Sequence, residues 1–459
     1  MNLRFDQRSN PLLGREAAMV VPVLAAATAL AFLPLGTFAW IGVGVILAFA
    51  LIHPKSVLFT VPAAIPLSFQ PVQIGDLQFN MIEFLVAALA FGFAPRIARE
   101  AWKIRTANPE DRLRTLNLAV PDRFAAAIAI LLVIAGIVSI IFMADTEYAA
   151  ESLRTFRWTI LFPVVYFFIA APLIQQDREH RVLAAALFVG GATISAIIAI
   201  VDGLLGGGVQ ADAVTRLAGV APHPNALALV LDRAAVPGIL MAVLFRDRLS
   251  GRWLVPSTLI LIVTLLTFSR GALLGIAAAC VIVLVMARAR YLAVVSSSIA
   301  AVFLVGVTTI APDRTMSLLG GGSGSLRLEL WTSSIEMIRD HPITGVGLDQ
   351  FLYQYLPRYV TPQAWLERFT SHPHNLLLDV WLSLGIIGIG VVALTAVLIV
   401  WHVRRALDEQ DRISLAAAGG ILAAVVHGLV DQSYFLPELA TSLWLLIILL
   451  APESTRQEP

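Results

Sequence analysis

The sequence predicts an all-α, polytopic integral membrane protein, and three observations carry that prediction. Hydrophobic residues make up 58% of the 459 residues and charged ones only 14%, against roughly 25% charged in soluble domains. The mean hydropathy is +0.82. Apolar runs recur from end to end, and as helices rising about 1.5 Å per residue they reach across a hydrocarbon core of about 30 Å. A net charge of +1 without a basic tract gives no sign of a nucleic-acid partner. The single cysteine, Cys280, lies inside an apolar run, which excludes a disulfide framework and a Cys-based metal site.

Taken in order, residues 1–15 are polar and carry Arg4, Arg8 and Arg15 without a clear small-residue cleavage site, so they read as a retained cytoplasmic end. Spans are expected near 18–34, 37–52, 56–70, 80–95, 123–144, 158–174, 181–201, 225–245, 253–269, 271–287, 291–311, 374–400, 413–430 and 436–451. That makes about 12–14 transmembrane helices, the lower figure if short ones merge or re-enter. The stretch 56–70 holds Pro62 and Pro66 and is the least regular.

Arginine and lysine enrich the loops at 96–114, 175–181, 246–252, 287–290 and 402–412. The positive-inside rule then puts these loops and both termini on the cytoplasmic side. Residues 96–105 are basic and amphipathic and are expected on the inner membrane surface. The other side receives loops near 71–79, 145–157, 202–224 and 431–435, the turn Ser269-Arg270-Gly271, and one long loop at 312–373. In that loop 320–325 reads as a flexible linker. Residues 326–340 read as an amphipathic helix apolar at Leu326, Leu330, Trp331, Ile335 and Ile338, ended by His341-Pro342. The chain thus divides into 1–311 (N-terminal transmembrane helices), 312–373 (the long loop) and 374–459 (C-terminal transmembrane helices and tail).

Five arginines, Arg154, Arg157, Arg216, Arg270 and Arg327, fall on the outer side. Any one alone reads as snorkelling to headgroups or pairing with an acid such as Glu151 or Glu329. As a group they run against the topology rule, and clustered guanidinium forks suit a diphosphate. Arg270 lies between two apolar spans, where burial is costly without a compensating anion, and Gly271 beside it allows close approach.

His372 and His374, two apart, would point the same way in extended backbone. They lack a clear third ligand, so no metal site is expected. One reading is a structural turn into the next helix, fixed by Pro373; the other makes one imidazole a general base, since histidine titrates near neutral pH. Asn375 would orient an imidazole or a sugar hydroxyl, and Asp379, one turn on, would set the ring tautomer. His223-Pro224-Asn225 repeats the theme and reads as a helix start with Asn225 near the cap. His427 and Asp431, four apart, read as a polar pair on one helix face, structural or part of a proton relay.

These motifs resemble the O-antigen ligase and polymerase superfamily of polytopic membrane glycosyltransferases. The resemblance lies in Arg216-Leu217-Ala218-Gly219 leading to His223-Pro224-Asn225, in Ser269-Arg270-Gly271, and in Arg327 with Trp331. It continues through His341-Pro342-Ile343-Thr344-Gly345-Val346-Gly347 and His374-Asn375-Leu376-Leu377-Leu378, in the family's order over residues 150–435. It implies a GT-C-like fold in a bacterial inner membrane, a glycan donor on undecaprenyl pyrophosphate, and inverting transfer to an acceptor hydroxyl at the periplasmic face, without cofactor or metal. For ligases the acceptor is the lipid A–core oligosaccharide; for polymerases it is another lipid-linked repeat.

Carried onto this chain, His374 is the base and Arg270 and Arg327, with Arg216, hold the pyrophosphate. Asn375, His372, Arg157, Trp331 and Asp431 support them, and Trp331, Tyr353, Tyr355 and Trp365 are available to stack on sugars. The His-Asn pair favours a ligase over a polymerase. A transporter or flippase for lipid-linked oligosaccharide would need cationic groups along a path, whereas here they gather at one face without an inverted repeat. The expected span count exceeds the twelve or so of the ligases, which is the one departure.

Overall fold

Short polar caps and N-terminal prolines decide where the helices of this chain begin. The computed structural model describes residues 11–32, 37–74, 77–106, 108, 122–211, 214–245, 250–289 and 323–453. The chain runs through α1 (Pro11–Phe32), α2 (Thr37–Ile52), α3 (Pro54–Ala64), the hairpin β1 (Pro71–Ile74) and β2 (Leu77–Asn80), and α4 (Met81–Thr106). Next come α5 (Arg123–Ile141), α6 (Ala149–Phe156), α7 (Phe162–Ile174) and α8 (Arg178–Leu204). A second hairpin, β3 (Val209–Ala211) and β4 (Val214–Arg216), precedes α9 (Pro224–Leu244), α10 (Ser250–Leu266) and α11 (Arg270–Met286). Then follow α12 (Ser323–Asp340), the short α13 (Phe351–Gln354), α14 (Leu376–Glu409), α15 (Arg412–Gly428) and α16 (Pro437–Leu450). Asp122, Asp177, Ser269, Asn375 and Asp411 each cap a helix by accepting a backbone N–H. Pro54, Pro224 and Pro437 open others, where no helical N–H partner is required.

The result is an all-α, multi-pass membrane protein. Among the described residues six helices are long and apolar enough to cross a membrane, and five more are apolar but of 10–17 residues. Helix α9 is the most enclosed of the six. Its neighbour α15 carries Ala416, Ala417, Ala418, Gly419, Gly420, Ala423 and Ala424, all buried, so α9 and α11 both pack closely on it. Small residues matter here because dispersion contacts, rather than exclusion of water, hold membrane helices together.

Loops expected on the same side of the membrane meet in the structure. At one end Arg181 donates to Asp411 at 2.8 Å and to the Leu449 carbonyl at 2.7 Å, and His402 lies 2.6 Å from Asp122. At the other end Ser152 donates to the Leu348 carbonyl at 2.7 Å and Arg154 to Asp349 at 3.2 Å, so the long loop is fastened to α6. That loop has a core of its own, in which Leu330, Met337 and Ile338 of α12 pack with Val346, Phe351, Tyr355 and Leu382.

Helix α14 is broken at Gly385, with φ 63° and ψ −156°. The long loop fills the break. The Leu382 carbonyl accepts from the N–H groups of Val346 at 2.8 Å and Gly347 at 3.1 Å, and the Ile386 N–H donates to the Ile343 carbonyl at 2.9 Å. Unwound backbone in a membrane helix persists only where such partners satisfy it. Glycine is required, because a Cβ at 385 would stand 2.1 Å from the Ile343 oxygen.

Several expectations are corrected. The two antiparallel hairpins were not expected. Residues 56–70 form only the body of α3, which carries Pro62 inside it, and a following 3₁₀ turn that holds Pro66. The span at 158–174 is part of a longer helical stretch, Thr146–Ile174, interrupted by a π turn. Residues 323–325 belong to the first turn of α12 rather than to a linker, and Ile335 on that helix is exposed. The expected span at 291–311 and residues 320–322 lie outside the described residues.

Candidate active site

Asp431 organises the polar end of the bundle. Helix α15 stops at Gly428, and the turn before α16 carries Asp431 inward, 4% exposed. Its Oδ1 lies 2.9 Å from His374 Nδ1 and 3.7 Å from His372 Nε2. On the other oxygen, Asn225 Nδ2 donates at 3.0 Å and the Arg327 guanidinium stands at 3.8 Å. Burial by itself would raise the Asp431 pKa, but the imidazoles of His372, His374 and His427 hold it well below the usual carboxylate range. A buried carboxylate thus stays ionised with its charge aimed at His374.

The His374 ring is delivered by a strained backbone. Its φ is 52°, in the left-handed region that costs a residue other than glycine on the order of 1 kcal/mol. The two histidines therefore do not sit on extended chain, yet their rings meet edge-on with centroids 4.3 Å apart. His372 Nε2 is 3.2 Å from His374 Nδ1, and Ser371 Oγ is 3.1 Å from His372 Nδ1. Trp331 donates its indole N–H to the Pro373 carbonyl at 3.0 Å, pinning the segment from the α12 side.

Asn375 has a different task from the one expected. Its Oδ1 caps α14 by accepting from Leu377 and Leu378, and its Nδ2 donates to the Leu429 carbonyl at 3.0 Å. It ties the start of α14 to the Asp431 turn rather than orienting an imidazole. Asp379 is buried with Oδ2 unpartnered, and Asp431 holds the His374 ring in its place. Asn225 stands near the cap, as expected, and its side chain is also a bridge. His223 is the cap, accepting the Asn225 N–H at 3.1 Å, which frees the Asn225 side chain to link Arg216 to Asp431. Desolvation and then the Arg216 charge push the His223 pKa down, which disfavours the charged form of this third ring at the site.

Arg216 is buried, donating to the Thr267 carbonyl at 2.7 Å and to Asn225 Oδ1 at 2.6 Å. The Leu217 N–H donates to the Leu266 carbonyl at 3.1 Å, which fastens β4 to the turn that carries Arg270. Arg270, half-buried, opens α11 directly after the Ser269 cap. Beneath that turn His427 Nε2 lies 3.3 Å from Ser269 Oγ, and His427 Nδ1 lies 2.7 Å from Asp232. His427 and Asp431 therefore are not partners on one helix face, because α15 ends between them. A Cβ on Gly271 would stand 2.4 Å from His427 Cδ2. Gly271→Ala is expected to lower stability by about 1–3 kcal/mol through overpacking. Thermal melting of the detergent-solubilised protein measures it.

The remaining candidates separate from this cluster. Arg157 donates to the Gln78 carbonyl at 2.9 Å, lies 3.9 Å from Glu83 and covers the Phe79 ring at 5.2 Å, so it braces the first hairpin. Arg154 pairs with Asp349. Of the aromatic candidates, Tyr355 is fully buried and offers no face to a sugar, Tyr353 already stacks on Tyr148 at 3.5 Å, and Trp365 is 54% exposed under Arg368.

Residues 255–393 match the O-antigen ligase family model. No curated protein matches the chain. The matched stretch includes the Arg270 turn, Arg327, Trp331 and the His372–Pro373–His374 segment, and the match is consistent with the ligase and polymerase superfamily rather than one subtype. Arg216, Asn225 and Asp431 lie outside it, so the arrangement around His374 is completed from both flanks. Chemically, an ionised carboxylate fixes one nitrogen of an imidazole, with Arg327 beside it and Arg216 joined to it through Asn225, a pattern suited to proton abstraction beside an anion. Asp431 also adds a third donor beside His372 and His374, since one donor atom from each of the three lies within 4.8 Å of the others.

Proposed function

We propose that this protein is a membrane glycosyltransferase of the O-antigen ligase type. It moves a glycan from undecaprenyl pyrophosphate to a hydroxyl of a lipid A–core acceptor at the periplasmic face of a bacterial inner membrane. The contact between His374 Nδ1 and Asp431 Oδ1, at 2.9 Å, carries this reading. With Nδ1–H donated to Asp431, and facing His372 Nε2 at 3.2 Å, the His374 Nε2 lone pair is left for the acceptor hydroxyl. As the acceptor oxygen bonds to the anomeric carbon its proton passes to Nε2. The bond from that carbon to the pyrophosphate oxygen breaks, and the electron pair leaves with the lipid pyrophosphate. A single displacement of this kind inverts the anomeric centre.

Arg270 and Arg327 meet the charge growing on the leaving group. Arg216, occupied by Thr267 and Asn225, contributes its charge and holds the Asp431 bridge in place. Pyrophosphate is already a good leaving group, so positioning matters more than acid catalysis, and the reaction calls for neither nucleotide nor metal. Residues 323–373 supply Arg327, Trp331 and His372 to this cluster.

The test is transfer in detergent with EDTA present, using an undecaprenyl-pyrophosphate glycan with and without a lipid A–core acceptor. Glycosylated core supports the ligase reading. Longer lipid-linked chains without acceptor would replace it with a polymerase, and no transfer in either tube would turn attention to lipid-linked oligosaccharide transport. Arg327→Lys is expected to lower kcat/KM for the donor by about 10-fold or more, because a point charge replaces a planar fork. Donor titrations against a fixed acceptor measure it.

A further inference from the structure

We propose that His372, His374 and Asp431 form a binding site for one transition-metal dication of the zinc type, and that filling it silences His374 as a base. The site rests on geometry alone; the silencing rests on the glycosyltransferase reading above. His372 Nε2 and His374 Nδ1 are 3.2 Å apart, and Asp431 Oδ1 lies 2.9 Å from the second and 3.7 Å from the first. A tetrahedral ion with ligands at about 2.0–2.1 Å keeps them about 3.3 Å apart, so the three edges bracket the required spacing. Two imidazoles and one carboxylate select zinc or its neighbours over magnesium or calcium, which want oxygen ligands. Three protein ligands also leave the fourth position to water, and both rings are partly open to solvent.

The surroundings orient the donors. Ser371 Oγ, 3.1 Å from His372 Nδ1, can take that N–H and leave the Nε2 lone pair facing inward. Asn225 at 3.0 Å and the Gln432 N–H at 2.9 Å fix the carboxylate. One charge works against the ion, the Arg327 guanidinium 3.8 Å from Asp431 Oδ2. The ion takes the Nδ1 lone pair of His374, and the ring's single proton moves from Nδ1 to Nε2. No proton is lost overall, but the nitrogen that would accept the acceptor's proton becomes a donor.

The experiment titrates metal-free, full-length protein in detergent with Co²⁺, a coloured substitute for zinc, and then with Zn²⁺, and runs transfer assays in parallel. One equivalent of Co²⁺ should give the absorption of a four-coordinate site and be displaced by Zn²⁺. His372→Ala should weaken binding by at least about tenfold. Arg327→Gln should tighten it several-fold, a gain that a misfolded variant does not produce. Zn²⁺ should abolish transfer and EDTA should restore it. Absence of the Co²⁺ spectrum, or the same spectrum and affinity in His372→Ala, overturns the site. Transfer that persists with zinc bound, or that EDTA destroys, overturns the silencing. Stoichiometric binding in a protein that never transfers glycan would leave the site standing and reject the glycosyltransferase reading instead.

Discussion

His374→Ala is expected to reduce transfer by about 10²–10⁴-fold, the usual contribution of one positioned general base. Single-turnover assays with saturating donor and acceptor isolate the chemical step, and the loss should fall on kcat rather than on donor KM. The backbone argues against a folding artefact: at φ 52° an alanine carries much the same strain as the histidine it replaces. Asn375 and Trp331, which hold the segment, are untouched by the change. Transfer within a few-fold of the parent protein would remove His374 from the chemistry and leave the arginines to account for the reaction.

Asp431→Asn is expected to cost about 10²-fold or more, without contact between Asp431 and substrate. The amide keeps the size of the carboxylate but loses its charge, so nothing stabilises the imidazolium formed when His374 takes the proton. The amide can also donate to Nδ1, which would place the ring proton on Nε2 and reverse the useful tautomer. A second signature separates this from simple damage. The parent carboxylate is held ionised far below neutrality, so its own titration should not shape the pH–rate profile near neutral pH. In a His374→Ala background the same change should cost much less, because there is no imidazolium left to stabilise. An equal loss in both backgrounds would sink the assignment.

Much of this was legible in the sequence wherever the signal is local. The capping residues Asp122, Ser269 and Asn375 stand at the start of apolar runs, and most expected spans fall on described helices. The helix through Arg327 and Trp331 was readable from its apolar spacing and its His341-Pro342 stop. Partnerships were not readable. His374 and Asp431 are 57 residues apart, His427 and Asp232 195, and Asn225 and Asp431 206. Spacing along one helix suggested His427 with Asp431 and His374 with Asp379, and in both cases a residue from another helix or turn won. The four-residue and three-residue strands of the hairpins were too short for alternation to register.

The break in α14 bears on how such proteins can exchange parts. Residues 343–347 thread the gap at 382–386, and the path of one backbone is legal only because the other has glycine at 385. Neither half can be inherited alone. A relative that donated the loop without its matching gap would bring a carbonyl into a side chain, and a donated gap without the loop would leave bare amides in the lipid. Any exchange between such chains must therefore cut outside both pieces, carrying residues 343–347 and the first turns of α14 across as one cassette with His374 mounted on it.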